Sequence, residues 1–253
     1  MKQKKQRILN VLLVLVIAAL AASGWRMYSN HVEDAAADAA ADAMQAMKPP
    51  TPRPSPTQDS SSGNGLADTG YLMDFSSLWA ENPDVVAWLS IPGTVIDYPV
   101  LQAADNEYYL ERDITRTSNK NGSLFLDFRA RADFLDFSSV IYGHNMHSGR
   151  MLTDVVNFKE EAFFDLHTVG TLYTPDRTFR LEIFAVAVTP PDSEWYNYAF
   201  VSIGQRQAQL DMMKRGAMHY RDIGLTVDDR FVVLSTCSYE FWDARTIVAA
   251  RLV

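Results

Sequence analysis

The chain has 253 residues, of which 47% are hydrophobic and 21% are charged, and its formal net charge is −8. This composition is that of an ordinary globular protein, and the acidic balance argues against nucleic acid as a partner, because phosphate binding needs a basic surface. The single cysteine, Cys237, excludes an internal disulfide and any zinc site built from several cysteines.

The N-terminus has the pattern of a membrane anchor. Four basic residues among the first seven precede an apolar run from Ile8 to Trp25. A helix of that length can just cross the ~30 Å hydrocarbon core of a bilayer, and basic residues ahead of it favour a cytoplasmic N-terminus. We therefore predict a cytoplasmic tail and signal anchor over residues 1–27, with the rest of the chain extracellular. A cleaved signal peptide is the alternative, because residues 19–21 resemble a cleavage site.

Residues 28–69 have the composition of a spacer. Asp34, Asp38 and Asp42 recur every four residues among alanines, which makes a helix-prone stretch whose like charges repel along one face. Residues 48–65 are rich first in proline and then in serine and glycine, which favours an extended and poorly ordered segment. We predict a disordered stalk over residues 28–69 that holds a folded domain away from the membrane.

Residues 70–253 have the pattern of one mostly β domain. Asp74 is a candidate N-cap for a short helix that should end before Pro83. Apolar residues at helical spacing predict two further helices, over 151–166 and 204–220. Seven or eight short strands, rich in β-branched and aromatic residues and bounded by turn signals, fill the rest and predict an antiparallel or mixed β-barrel. The strand segments are 85–91, 94–100, 122–128, 138–143, 171–174, 178–188, 230–237 and 245–253.

The strand Phe-Val-Val-Leu-Ser-Thr-Cys ends at Cys237, where a side chain can reach a surface cleft. A free cysteine is often only a small buried hydrophobe. However, an unpaired thiol outside the cytoplasm is open to oxidation, so chemistry is a better reason to keep it than packing. A thiol attacks only as the thiolate, so this interpretation needs a base or a cation nearby.

Of the five histidines, His144 is the best candidate for that base. It follows the strand segment 138–143 directly, so it also lies at a strand end. His147, three residues later, is the second choice. His31 lies in the predicted stalk, and His167 and His219 lie at the ends of predicted helices, where a solvated capping role is expected.

Arg245 opens the last predicted strand, eight residues after Cys237. The connection over 238–244 has the right length for a hairpin-like return that brings Arg245 beside Cys237. A guanidinium there could donate hydrogen bonds to a developing oxyanion or hold substrate backbone. The alternative is a surface ion pair with Asp243 or Glu240.

These motifs together resemble those of the sortases, thiol transpeptidases of Gram-positive cell surfaces. The family signature is Thr-Leu-x-Thr-Cys, and here Val233 stands in place of the first Thr, a near-isosteric change on a strand. Tyr-Gly-His-Asn upstream and an arginine shortly downstream complete the match. The stretches 82–102 and 122–129, the helix before the first strand and a helical segment over about 190–225 are similar more narrowly to class B. The resemblance covers nearly all of residues 70–253.

The resemblance implies an eight-stranded β-barrel with flanking helices. It implies Cys237 as nucleophile, His144 as acid/base and Arg245 as transition-state stabiliser, with no metal or other cofactor required. The partners would be surface proteins with a C-terminal sorting motif, which is cut after its Thr through a thioester. An amine of a peptidoglycan precursor or a pilin lysine would then resolve that thioester. The implied substrate-binding residues are Asn106, Leu110, Ser235, Thr236 and Tyr196.

Two other functions stay open at this point. A papain-like cell-wall peptidase would use a Cys/His pair for hydrolysis, but such folds usually place the cysteine at a helix N-terminus, whereas Cys237 ends a strand. A non-catalytic adhesin on a stalk would carry Cys237 only as a packed side chain.

Overall fold

The computed structural model describes residues 2–50, 53–54 and 71–253. In these residues the α-helices are α1 (Lys2–Ala46), α2 (Ser76–Glu81), α3 (Glu161–Leu166) and α4 (Ile203–Gly216). Three 3₁₀ helices span Tyr108–Glu111, Thr153–Lys159 and Glu194–Tyr196. The strands of three or more residues are β1 (Val85–Ser90), β2 (Asp97–Leu101), β3 (Leu124–Leu126), β4 (Ser138–Tyr142), β5 (Val169–Tyr173), β6 (Thr178–Thr189), β7 (Arg230–Cys237) and β8 (Arg245–Leu252). The two-residue strands Arg53–Pro54 and Tyr71–Leu72 pair with each other, and His219–Tyr220 pairs with β6.

The strands β1 to β8 close into a barrel. Their hydrogen-bonded order is β8-β7-β4-β3-β2-β1-β5-β6, and β6 pairs back onto β8. Strand β7 runs parallel to β4 and β3 runs parallel to β2, while the other neighbours are antiparallel. Closure removes the exposed edge that an open sheet presents. The predicted mostly β, eight-stranded barrel of mixed strand direction is therefore confirmed.

Side chains of the barrel alternate between two hydrophobic clusters, because successive residues of a strand point to opposite faces. On β7, Val232 and Leu234 lie in the larger cluster. Phe231 and Val233 lie in the second cluster, together with Leu210 of α4. The odd-numbered positions of β7, from 231 to 237, therefore lie on the face that α4 covers.

The topology brings three strand ends to one place. Strands β4 and β7 are parallel, so their C-terminal ends lie at the same edge, and Tyr142 is the register partner of Ser235. Strand β8 is antiparallel to β7, so it begins at that edge, with Arg245 as the partner of Cys237. The end of β4, the end of β7 and the start of β8 therefore meet.

The helices near the barrel differ in detail from those predicted. The predicted helix over 151–166 is divided into a 3₁₀ helix and α3, because Glu160 between them is extended, at φ −80° and ψ 121°. Met151 cannot begin a helix, since its φ is +59°. Helix α4 begins after Ser202, which forms a capping box with Gln205.

The short helix α2 largely follows its prediction. It ends at Glu81, two residues before Pro83. Phe75 holds the N-cap position, but the carboxylate of Asp74 accepts a hydrogen bond from the backbone N–H of Ser76 at 2.9 Å. Asp74, the predicted capping residue, thus satisfies a helix-terminal N–H although it lies one residue before the N-cap.

Residues 1–39 and residues 40–253 form two compact units. In the second unit the end of α1 packs onto the barrel: Ala41 and Met44 are buried in the larger cluster, and Lys48 pairs with Asp97 at 2.6 Å. The predicted disordered stalk is therefore wrong for residues 28–46, which are helical. Alanine has the highest helix propensity, and this preference outweighs the repulsion between spaced aspartates. Residues 51–52 and 55–69 of the predicted stalk lie outside the described residues.

Helix α1 includes the apolar run that the sequence analysis assigned to an anchor. Within the part of the chain that the structure describes, no helix combines the length and the apolar character that a membrane crossing requires. The anchor over residues 1–27 stays a prediction from the sequence.

Candidate active site

One cleft of about 280 Å³ collects all eight residues that the sequence analysis assigned to the site. These are Asn106, Leu110, His144, Tyr196, Ser235, Thr236, Cys237 and Arg245. Four further lining residues, Phe125, Tyr142, Gly143 and Pro191, were not predicted. Tyr142 and Gly143 directly precede His144 in the chain, so their place in the motif was a usable signal.

Cys237 is the last residue of β7 and is a free, partly exposed thiol. Its register partner across the antiparallel pair is Arg245, the first residue of β8. Directly opposed residues point to the same face, with Cβ atoms about 4.5–5.5 Å apart. The hairpin-like return predicted over 238–244 therefore places the guanidinium stem beside the sulfur.

His144 reaches the same cleft because the chain beyond β4 is tied to the end of β7. The hydroxyl of Thr236 donates to the carbonyl of Gly143 at 2.7 Å. The side-chain amide of Asn145 donates to the carbonyl of Cys237 at 3.1 Å. Since these two bonds hold the residues on either side of His144, the imidazole lies at the edge where β7 ends.

A backbone carbonyl fixes the tautomer of His144. Its Nε2 lies 2.7 Å from the carbonyl oxygen of Leu110. A carbonyl oxygen only accepts, so Nε2 carries the proton and donates. Nδ1 is then the ring nitrogen that can exchange a proton with the thiol or with a leaving group. The main chain of Leu110 thus orients the imidazole, in addition to the groove contact that the resemblance implied for its side chain.

Arg245 stands beside Cys237 and also makes the ion pair that was its alternative interpretation. Its Nη1 lies 2.7 Å from Oδ1 of Asp243 and donates to the carbonyl oxygens of Asp243 and Ala244 at 3.2 Å. Glu240, the other candidate partner, pairs instead with Lys159. The surface ion pair with Asp243 is therefore present, and it leaves Arg245 among the residues that line the cleft.

Tyr196 and Ser235 form one wall of the cleft. Their hydroxyl oxygens are 2.9 Å apart, and the ring of Tyr196 stacks on that of Tyr142 with centroids 6.2 Å apart. Burial raises the pKa of Tyr196 to about 12, and its charge interactions with Arg245 and Cys237 oppose each other. The hydroxyl is therefore neutral at physiological pH and can donate or accept.

A buried carboxylate, that of Asp127, holds two of the lining residues. Oδ2 of Asp127 accepts hydrogen bonds from Asn106 and from the hydroxyl of Tyr142, each at 3.1 Å. Burial opposes ionisation of Asp127, but hydrogen bonds from Arg129 and Asn106 outweigh it and lower the pKa of the carboxyl. The carbonyl of the Asn106 side chain accepts from the backbone N–H of Phe128 at 3.0 Å, so both ends of this amide are fixed.

The other histidines of the second unit lie away from the cleft. His147 is exposed and is not among the lining residues. His167 follows α3 at its C-cap, as expected, but it is buried and its ring stacks on Phe163 with centroids 3.9 Å apart, so the solvated role predicted for it is wrong. Nε2 of His219 lies 2.7 Å from the carbonyl of Lys159. In the described residues, no three His, Cys, Asp or Glu side chains are grouped so as to hold a metal ion.

Known proteins are similar to this chain in sequence and in fold. Residues 89–253 match the sortase domain family. Sortase B of Listeria monocytogenes is 33% identical over 174 residues, which cover 68% of this chain and 71% of that protein.

Solved structures agree with this assignment. The Staphylococcus aureus sortase B–substrate complex has a TM-score of 0.67 and 30% identity, covering 71% of this chain and 84% of that one. A Streptococcus pyogenes class B sortase involved in pilus biogenesis has a TM-score of 0.66 and 35% identity, covering 71% of this chain and 98% of that one. The chain, with its cysteine, histidine and arginine in one cleft at the end of β7, therefore belongs to the sortase family and within it to class B.

Proposed function

We propose that this class B sortase cuts the C-terminal sorting motif of a surface protein after its Thr and transfers that protein to an amine. The observation that carries the proposal is the register pair Cys237–Arg245 at the meeting strand ends, with His144 held at the same edge. The similarity to a sortase B solved with its substrate supports the substrate class.

In the first step, the thiolate of Cys237 attacks the carbonyl carbon of the Thr residue. A carbon–sulfur bond forms, and the guanidinium of Arg245 donates hydrogen bonds to the carbonyl oxygen as it becomes an oxyanion. The peptide C–N bond then breaks while protonated Nδ1 of His144 gives its proton to the leaving amine. The product is a thioester between Cys237 and the shortened protein.

In the second step, an amine attacks the thioester carbon. His144, now neutral at Nδ1, takes the proton of the attacking amine, a new amide C–N bond forms, and the carbon–sulfur bond breaks. The thiolate of Cys237 and the imidazolium are regenerated together. Each step needs hydrogen-bond donors at the same carbonyl oxygen, so a fixed guanidinium serves both.

The amine can be that of a peptidoglycan precursor or that of a pilin lysine. The similarity to a Streptococcus pyogenes class B sortase involved in pilus biogenesis supports the second possibility, while the cleft itself favours neither. Parallel reactions with a cell-wall peptide amine and with a lysine-containing pilin peptide separate them, since only the accepted amine appears in the product.

The direct test is to incubate the purified full-length chain with a library of sorting peptides and to detect the acyl-enzyme by mass spectrometry. We expect an adduct on Cys237 whose added mass equals that of one sorting peptide shortened to its Thr. The Cys237→Ala variant should form no adduct. Adding an amine should convert the adduct into an amide product. Absence of any adduct across the library would refute the proposal.

The same experiment separates the two rival functions. A papain-like peptidase would release only the hydrolysed acid even with the amine present. A non-catalytic adhesin would form no adduct, and alkylation of Cys237 would leave its function intact.

We also propose that residues 1–27 anchor the protein in the cell membrane with residues 40–253 outside the cell. The basic tail and apolar run of the sequence support this, as does the need to reach surface proteins. Membrane fractionation and protease accessibility of intact cells test it, and a chain recovered only from the cytosolic fraction would contradict it.

A further inference from the structure

The guanidinium of Arg245 is held along one side only. Within the described residues, each of its hydrogen bonds and ion pairs runs through Nη1, to the carboxylate and carbonyl of Asp243 and to the carbonyl of Ala244. An arginine has five N–H donors, of which Nη1 supplies two. Three donors on Nε and Nη2 therefore lie away from this anchor, on a side chain that lines the cleft.

The loop between β7 and β8 is shaped to present Asp243 in this way. Asp243 has a φ of +60°, in the left-handed region that aspartate tolerates better than most residues. Ala244 is buried, and its carbonyl also accepts the backbone N–H of Ser238 at 2.9 Å. The loop is thus closed on itself directly beside Cys237, with its carboxylate turned back toward the arginine.

We propose that Asp243 is a positioning residue for Arg245, which holds one nitrogen of the guanidinium so that the remaining donors face the sulfur of Cys237 and the carbonyl oxygen bound there. This inference rests on the proposed transpeptidation and adds a residue to it. Asp243 does not touch the reacting atoms; it acts through Arg245.

A simple surface ion pair does not account for this geometry as well. The two side chains are 25% and 47% exposed, and pairs of that kind contribute little to stability. An acid this close to the nucleophile also opposes formation of the thiolate. The carboxylate of Asp243 is explained if its hold on the guanidinium outweighs its small repulsion of the Cys237 thiolate.

Alkylation of Cys237 tests the position of the guanidinium without any substrate. The chain has one cysteine, so iodoacetamide and iodoacetate both report on that residue alone. Both reagents react with the thiolate, so the ratio of their rates is independent of how much thiolate is present. The rate with the anionic reagent, iodoacetate, divided by the rate with the neutral reagent, iodoacetamide, therefore reports the positive charge near the sulfur.

We expect Arg245→Ala to lower this ratio about fivefold at low salt, as for a unit charge lost near a protein surface. Asp243→Gly removes the carboxylate and keeps the positive φ accessible, and it should lower the ratio toward the Arg245→Ala value. Asp243→Asn keeps a side-chain acceptor, so its rate ratio should lie between those of the parent chain and of Asp243→Gly. Asp222→Gly, which removes a comparable exposed ion pair with Lys214 away from the cleft, should leave the ratio unchanged.

The opposite sign overturns the proposal. If Asp243 were only an anion near the sulfur, its removal would raise the ratio, because the anionic reagent would be repelled less. An unchanged ratio in Asp243→Gly, or in Arg245→Ala, would also overturn it, since the guanidinium would then not depend on Asp243 or not lie near the thiol.

Acylation kinetics complete the test. Asp243→Gly should lower kcat about tenfold with KM within about twofold, because misplacing a catalytic group costs rate more than binding. In the Arg245→Ala background the same change should have no further effect, whereas an independent structural role would be additive. A parent chain that forms no thioester while the alkylation ratios behave as expected would refute the proposed function and leave the positioning of Arg245 established.

Discussion

Truncating Met44 to alanine should destabilise the barrel, although Met44 lies in a segment whose composition predicts a stalk. Its side chain is 1% exposed and belongs to the larger hydrophobic cluster. Its sulfur lies 3.8 Å from the hydroxyl of Ser123, which in turn donates to the carbonyl of Arg112 at 2.9 Å. Ser123 thus links Met44 to Arg112, which directly follows the 3₁₀ turn whose Leu110 carbonyl orients His144.

The magnitude follows from the burial. Truncating a fully buried methionine to alanine typically costs about 2–5 kcal/mol. Met44 lies near the edge of the second unit, where the site can partly collapse, so we expect about 2–4 kcal/mol. For a domain of this size, each kcal/mol lowers Tm by about 2–4 °C, so Tm should fall by about 4–16 °C.

Thermal unfolding of the full-length chain, followed by near-ultraviolet circular dichroism, measures this shift. Met27→Ala is the matched control, because Met27 lies in the same helix but is 74% exposed. Substituting an exposed side chain should change the free energy of unfolding by no more than about 0.5 kcal/mol. If Met44→Ala and Met27→Ala unfold within about 1 °C of each other, the end of α1 does not pack onto the barrel in solution and the reasoning is refuted.

Three further perturbations test the site and its supports. Asn145→Ala removes the amide that donates to the carbonyl of Cys237 and should lower kcat/KM for peptide acylation about tenfold; unchanged kinetics would show that this bond does not position the histidine loop. Gly122→Ala should cost more than about 3 kcal/mol in urea unfolding, because the added Cβ would lie 2.3 Å from a main-chain oxygen at a φ of +56°. Gly149→Ala, at a φ of +75° with open space around it, should cost only about 1 kcal/mol, and equal losses would contradict the packing argument. Burial raises the pKa of Tyr196 to about 12, so the folded protein keeps a proton that the unfolded chain loses from about pH 10 upward. The free energy of unfolding should therefore fall as pH rises from about 10 to 12. In urea titrations at several pH values, Tyr196→Phe should show a smaller fall than the parent. An equal fall in both proteins would contradict the raised pKa of Tyr196.

Local patterns sufficed for most of the barrel. Alternation and β-branched content mark each of β1 to β8, because half-buried strands need that pattern. The pair Cys237–Arg245 was also within reach, because one short connection joins the strands and fixes their register. The parallel neighbour β4 is different, since His144 and Cys237 are 93 positions apart along the chain and no local pattern specifies that pairing. His144 was selected because it follows a strand, and the resemblance to sortases implied that it acts together with Cys237.

The misses have identifiable physical causes. The helix predicted over 151–166 is interrupted where the backbone is extended at Glu160 and has positive φ at Met151, and apolar spacing does not report either. The Ser202–Gln205 capping box was legible in the sequence and marks the true start of α4. The docking of residues 40–48 depends on a groove that only the folded barrel provides. Composition alone therefore predicted a spacer there.

The two interpretations of Arg245 show why sequence reasoning presented a false choice. A sequence offers residues as partners, so an arginine near both an acid and a thiol is assigned to one or the other. A guanidinium, however, binds through five separate N–H groups in a rigid plane. The carboxylate of Asp243 occupies one edge of that plane, and an edge held in place presents the opposite edge in a defined direction. Under the proposed function, the ion pair with Asp243 and a catalytic role for Arg245 are therefore compatible.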